Sequence, residues 1–179
     1  MRIVSLNHLN HCNLVTRSLA FIVDSAKETR SQTMITSVIH YQIETSDSMA
    51  DSQLLPIEAG LNDFNDQMTG ISDRKPLSVI VRCTETGKIL GGMQGRTSLG
   101  LLFIDLFYLP PALRNNGLGT TILAQFENEG RKRGCIAGFL YTIIFQAPDF
   151  YKKNGWEEFG RINCLPEGTS RIFMKKSFS

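Results

Sequence analysis

The segment Arg114-Asn115-Asn116-Gly117-Leu118-Gly119 sets a cation, two amides and two glycines side by side, a composition suited to cradling a phosphate group. It follows the apolar run Phe103-Ile104-Asp105-Leu106-Phe107-Tyr108-Leu109 and the pair Pro110-Pro111, and it opens a helical pattern. Backbone N–H groups at a helix start have no intrahelical partner and sit at the positive end of the helix dipole, so together they attract a phosphate. Glycine lets a ligand approach because it has no Cβ, and Asn115 and Asn116 tolerate the left-handed conformations such a turn uses. Two familiar phosphate loops are excluded. A Walker loop ends in Gly-Lys-Ser/Thr, which is absent here. A dinucleotide fingerprint places a third small residue where this chain has Ile122, and an acidic residue about 20 positions further on, where it has Phe139 and apolar neighbours. For the glycines alone, a strand-to-helix turn without a ligand remains the plain alternative.

Such a turn needs a strand before it and a helix after it. Residues 117–133 predict that helix: Leu118, Ile122 and Phe126 recur at four-residue spacing with Leu123 alongside, while Gln125, Glu129 and Lys132 fall elsewhere. Arg131, Lys132 and Arg133 suit the negative end of the helix dipole, and Gly134 suits the C-terminal cap. Residues 101–109 predict the strand. It closes a meander with strands at 77–83 and 89–96, which turn at Glu85-Thr86-Gly87-Lys88, where Gly87 is free to take a positive φ. Upstream, residues 38–43 read as a strand and residues 54–68 as a helix with Pro56 in its first turn. Downstream come a buried strand at 136–144, a short helix at 147–154 closed by Gly155, and strands at 156–162 and 170–176. The order predicts an α/β (α+β) fold: a mixed, mostly antiparallel central sheet of about six to seven strands flanked by helices.

The 179 residues, 42% hydrophobic, suit one domain with a full core and a tail. Residues 1–33 read as an N-terminal leader, accessory or disordered, or as a mis-set start ahead of Met34; residues 34–179 read as the domain. A formal net charge of +2 with 20% charged residues gives no basic stripe for nucleic acid. No apolar run approaches the roughly 20 residues that span a bilayer, and Leu19-Ala20-Phe21-Ile22-Val23 is a poor secretory signal. Cys12, Cys83, Cys135 and Cys164 lie far apart with no Cys-x-x-Cys pair, so a reducing, cytoplasmic setting is expected. His8, His11 and Cys12 lie together, but no second ligand group with zinc-site spacing follows, so no metal is expected.

Arg114-x-x-Gly117-x-Gly119 after the fourth strand, followed one helix and one strand later by Phe150-Tyr151-Lys152-Lys153-Asn154-Gly155-Trp156, resembles the GNAT superfamily of N-acetyltransferases across residues 38–176. The resemblance implies that the fourth and fifth strands splay apart and that acetyl-CoA, the co-substrate, lies in the V. It places the backbone of Phe107, Tyr108 and Leu109 against the pantetheine amides. It places Arg114, Asn115, Asn116, Gly117, Leu118, Gly119 and Thr120 around the pyrophosphate. Gln146 stands where the family often has an Asn that contacts the pantetheine arm, and its longer side chain puts that contact in question. By the same resemblance Tyr151 protonates or hydrogen-bonds the departing thiolate; the plain alternative is a buried core tyrosine. Asp105 is the one acid of the fourth strand. Period-two alternation puts it on the face of Phe107 and Leu109, where it is a candidate general base or ammonium anchor; the alternative is an acid tied to a neighbouring Arg. Trp156 reads as core. Glu58, Asp63 and Asp66 read either as a cationic-amine attractor or as a solvated helix face. The implied activity is transfer of acetyl from acetyl-CoA to a primary amine, of a small molecule rather than a protein, by a monomer or homodimer. The alternative is a non-catalytic module of the same fold that binds acyl-CoA or a partner.

Overall fold

The computed structural model describes residues 40–178. The leader, Met34 and the His8, His11 and Cys12 group lie outside the described residues, as do Val38 and Ile39 of the expected first strand. Residues 40–43, the rest of that strand, carry no regular structure. Contacts divide the chain at Glu58/Ala59. Helix α1, Asp51–Thr69, crosses this division. It starts where the Ala50 N–H donates to the Gln53 side chain at 2.9 Å, earlier than expected. Pro56 therefore lies inside the helix, where its missing N–H removes one helical hydrogen bond.

From Ala59 onward the chain continues through the rest of α1, then β1 (Lys75–Arg82), β2 (Ile89–Ser98), β3 (Leu101–Tyr108), α2 (Leu118–Lys132), β4 (Ala137–Ile143), α3 (Pro148–Lys153), β5 (Glu157–Cys164) and β6 (Thr169–Ser177). The strands form one six-stranded sheet in the order β1-β2-β3-β4-β6-β5. β3 and β4 run parallel and every other neighbouring pair is antiparallel. A parallel pair needs a crossover, and α2 supplies it. The result is the expected mixed, mostly antiparallel sheet with flanking helices. Alternation then sorts the side chains. Met93, Leu102, Leu140, Ile172 and Met174 are buried in one cluster with Ile122, Leu123 and Phe126 of α2. Arg96, Phe103, Phe139, Tyr141, Arg171 and Phe173 alternate with these and lie on the opposite face.

One irregularity shapes β3. Opposite β2 the register pairs Gly95 with Ile104 and Gln94 with Leu106, so Asp105 is an extra, bulged residue. The bulge breaks the alternation. Asp105 stays on the face of Phe103, whereas Phe107 returns to the core side and Leu109 is buried there. The expected sharing of a face by Asp105, Phe107 and Leu109 therefore does not hold. Gly95 makes room for this: a Cβ at that position would lie 1.9 Å from the Phe103 carbonyl oxygen and 3.1 Å from the Phe126 ring. β4 accompanies β3 only from Leu101↔Ala137 to Ile104↔Leu140. Beyond the bulge the two strands part.

A buried ionic network ties α2 to the far half of the sheet. One carboxylate oxygen of Glu127 accepts from Trp156 Nε1 at 2.9 Å and the other from Lys176 Nζ at 2.7 Å. The same ammonium donates to the Asn154 carbonyl at 2.7 Å, and Arg131 lies 3.5 Å from the carboxylate. Glu127 is only 4% exposed, so its loss strands a half-buried ammonium and a buried indole N–H. Glu127→Ala is expected to lower the unfolding free energy by about 3 kcal/mol, read as a lower denaturant midpoint at unchanged slope. A loss below about 1 kcal/mol would mean that solvent screens the network.

Candidate functional site

The site is built where β3 ends. Pro110 is extended, at φ −63° and ψ 152°, and leads into a 3-10 turn over Pro111–Leu113. Arg114 closes that turn. Its Nε donates to the Leu109 carbonyl at 2.8 Å, and its guanidinium lies 6.0 Å from the Tyr108 ring centroid. The loop then makes two left-handed steps, at Asn115 (φ 62°) and Gly117 (φ 85°). Asn116 takes no such step; its side-chain oxygen accepts from the Leu118 N–H at 3.1 Å. Gly117 is the N-cap of α2, and the first helical bond runs from the Thr121 N–H to the Gly117 carbonyl at 3.1 Å. The N–H groups of Gly119 and Thr120 precede that ladder and point out of the helix start. A Cβ on Gly119 would lie 3.3 Å from the Phe150 ring and at an ordinary 3.7 Å from the Phe107 ring, so this glycine lets the Phe150 ring close beside the helix terminus.

Between the parted ends of β3 and β4 opens a cleft of about 920 Å³. Of the residues singled out in the sequence, Asp105, Phe107, Tyr108, Leu109, Arg114, Asn115, Gly117, Gly119, Thr120, Gln146 and Tyr151 all line it. Asn116 and Leu118 do not: the Asn116 side chain turns to the Leu118 N–H, and Leu118 packs on the core. Sequence reasoning missed Tyr141, Thr142, Phe145, Phe150 and Arg171 on its walls. Phe150 was within reach, since it adjoins Tyr151. Tyr141 and Arg171 reach the cleft through strand order, which has no local signature.

The titratable side chains differ in setting. Tyr151 is buried, its ring edge-on to Phe150 at 5.2 Å and to Trp156 at 6.1 Å. Burial pushes its phenol up to about 12, because the phenolate would lose its hydration. Among the described residues its hydroxyl has no hydrogen-bond partner, yet no fully buried side-chain polar atom there is orphaned. The hydroxyl is therefore accessible from the cleft that Tyr151 lines. Asp105 accepts from Arg96 Nη1 at 2.7 Å on both oxygens, and the same guanidinium lies 4.5 Å from the Phe103 ring centroid. Gln146 turns its oxygen to the Ile143 N–H at 3.0 Å and the Thr142 hydroxyl at 3.3 Å, leaving its Nε2 as the uncommitted end. Asp63 and Asp66 do not line the cleft. Asp66 pairs with Arg74, whose hydrogen bond holds its carboxyl below the ordinary value. Among the described residues no group of three metal-binding side chains comes together, and no helix is long and apolar enough to cross a membrane.

This geometry has known counterparts. A family model described as the acetyltransferase (GNAT) family matches residues 41–156. Acetyltransferase Atu2258 of Agrobacterium fabrum is 31% identical over 115 residues, covering 64% of this chain and 83% of that protein. Blasticidin-S acetyltransferase of Streptomyces morookaense is 33% identical over 112 residues, covering 60% of this chain and 82% of that enzyme. Among solved structures, an acetyltransferase from Agrobacterium tumefaciens superposes with a TM-score of 0.71 at 29% identity, covering 76% of this chain and 98% of that one. One from Bacillus cereus gives 0.62 at 28% identity, covering 75% and 98%. The matched span takes in both the 114–119 turn and the Phe150-Tyr151 pair, and the chain belongs to the GNAT family of acetyltransferases, as an acyl-CoA-dependent acetyltransferase.

Proposed function

We propose that the protein transfers an acetyl group from acetyl-CoA to a primary amine of a small molecule by direct attack. The observation that carries this reading is the parting of β3 from β4 directly beside the open start of α2. The residues present fit an acyl-CoA. The N–H groups of Gly119 and Thr120, with the left-handed Asn115 and Gly117 shaping the loop, suit the pyrophosphate. Arg114 holds the loop to Leu109 and keeps its outer nitrogens for phosphate. The β3 backbone over residues 107–109 has no strand on its β4 side and can pair with the pantetheine amides as an added strand would. Gln146 Nε2 offers a further donor. A volume of about 920 Å³ is at the large end for a ligand cleft, as an extended molecule requires. The small-molecule acceptor is supported by the likeness to the Streptomyces enzyme, which is named for blasticidin S.

Bound acetyl-CoA supplies an activated acetyl thioester. The chain's residues handle the protons. An alkylamine enters as an ammonium, and Asp105, steadied by Arg96, holds it and takes up a proton directly or through water. The neutral nitrogen bonds to the acetyl carbon, the carbon–sulfur bond breaks, the sulfur leaves with the electron pair, and the nitrogen gives its second proton to solvent as the amide forms. With a value of about 12, Tyr151 stays protonated throughout the neutral range. It is a weaker acid than a thiol near 8.5, so it stabilises the departing sulfur as a hydrogen-bond donor, and solvent completes the protonation.

Three results test this reading. Acetyl-CoA is expected to raise the melting temperature and, with a panel of primary amines, to release CoA thiol in step with amide formation. In Gly119→Val the new methyls meet the Phe150 ring and push it into the cleft, so the melting shift should vanish while the fold survives. An undiminished shift in that variant would remove the phosphate role from the loop. Tyr151→Phe keeps the ring and removes only the hydroxyl. Turnover should fall by on the order of a hundredfold with acetyl-CoA affinity little changed. Wild-type turnover in Tyr151→Phe would leave the sulfur to water alone.

A further inference from the structure

Building on the proposed transfer to an amine, we infer that the acceptor is an amino-acid-like molecule, with a carboxylate beside its amine and an apolar, best aromatic, side chain, and that Arg171 binds the carboxylate. The cleft has two ends. One is the start of α2. The other emerges on the opposite face of the sheet, among Asp105, Tyr141 and Arg171. β6 directs Ile172 and Met174 into the core under α2 and Arg171 and Phe173 to that opposite face. The Arg171 guanidinium lies 5.0 Å from the Tyr141 ring centroid, and both residues line the cleft.

Arg171 is set apart from the other arginines among the described residues. Arg74, Arg96, Arg131, Arg133 and Arg161 each have a carboxylate partner. Arg82 and Arg114 donate to backbone carbonyls. The Arg171 side chain alone forms no hydrogen bond and no ion pair among the described residues. A guanidinium presents a planar fork of donors that matches a carboxylate, so its uncommitted face is a ready anion site. The charges at this end are two guanidiniums to one carboxylate, and the carboxylate is Asp105, already shared with Arg96. A polycationic amine would be repelled. A zwitterion fits, with its ammonium at Asp105 and its carboxylate at Arg171.

The same face carries a row of rings. Phe103 lies 5.9 Å from Phe139, Phe139 lies 6.5 Å from Phe173, and Phe173 lies 6.2 Å from Tyr141, centroid to centroid. Phe159, 53% exposed, joins them at 6.0 Å from Phe139, and Tyr141 is 49% exposed. A contiguous, partly exposed aromatic surface beside a charged cleft suits a ligand, and here it gives an aromatic side chain a floor to rest on.

The test compares amino acids with their decarboxylated amines, led by phenylalanine and phenethylamine, which share ring and amine. In the wild type, amide formation should favour the carboxylate-bearing member by about tenfold or more in kcat/KM, as expected for a charge-assisted pair. In Arg171→Gln the ratio should fall to within about twofold, and Arg171→Lys, which keeps the charge without the fork, should restore part of it. The melting shift with CoA should be the same in all three proteins, which separates an acceptor defect from a donor one. Equal or better use of phenethylamine by the wild type, or a preference that survives Arg171→Gln, would overturn the assignment. Should no amine be acetylated, which would count against the transfer itself, calorimetry on the CoA-saturated protein decides. N-acetylphenylalanine should bind more tightly than N-acetylphenethylamine and lose that advantage in Arg171→Gln. Equal binding, or none, would overturn the inference.

Discussion

The cleft depends on one close approach, that of the Phe103 carbonyl to the space where residue 95 has no side chain. Only glycine leaves that space empty, since a Cβ there would sit 1.9 Å from the oxygen. With the carbonyl seated, β3 can bow against β2 and absorb Asp105 as a bulge while keeping its hydrogen-bonded register on both sides. A bulge bends its strand and increases its twist. β4 cannot follow that bend, and the parallel ladder ends at Ile104↔Leu140. Past that point β3 has a free edge whose backbone groups need a partner. A ligand with amides of its own along an extended arm is such a partner. The same bulge leaves Asp105 on the sheet face opposite α2 and returns Phe107 to the core side, so the two ends of the cleft open on different sides of one sheet.

The parted strands would be of little use if the helix start and the tyrosine could drift relative to each other. The Glu127 network holds both. Glu127 belongs to α2, Lys176 to β6, and Trp156 and the Asn154 carbonyl follow directly on α3, which carries Tyr151. One buried carboxylate thus fixes the element whose first N–H groups face the cleft and the element that aims the phenol into it. Gly155, at φ 82°, lets the chain reverse between α3 and Trp156. Its Cα faces the Lys176 side chain. The burial that raises the Tyr151 phenol to about 12 comes from the same packing.

Much of this was legible in the sequence because it is local. The spacing of Leu118, Ile122 and Phe126 gave α2, and Gly117 and Gly119 marked its open start. The run from Phe150 to Trp156 located the tyrosine. What escaped was set by tertiary contact. Strict alternation placed Asp105 with Phe107 and Leu109, and nothing in Ile104-Asp105-Leu106 announces a bulge; the nearest hint was the glycine content of β2, whose Gly95 makes the room. Tyr141 and Arg171 reach the cleft because β6 lies next to β4 in the sheet, an order no short window reveals. Pro56 misled in the other direction. Its preference for a first turn placed the start of α1 too late, since the Ala50–Gln53 contact begins the helix at Asp51.

The most direct measurement is amide hydrogen exchange, residue by residue, with and without CoA. If the free edge of β3 and the start of α2 together hold the ligand, the amides of residues 106–109 and those of Gly119 and Thr120 should slow together at saturation. The β3–β4 ladder at residues 101–104 should change little. Slowing confined to Gly119 and Thr120, or found only outside these two segments, would contradict a cofactor held between the parted strands.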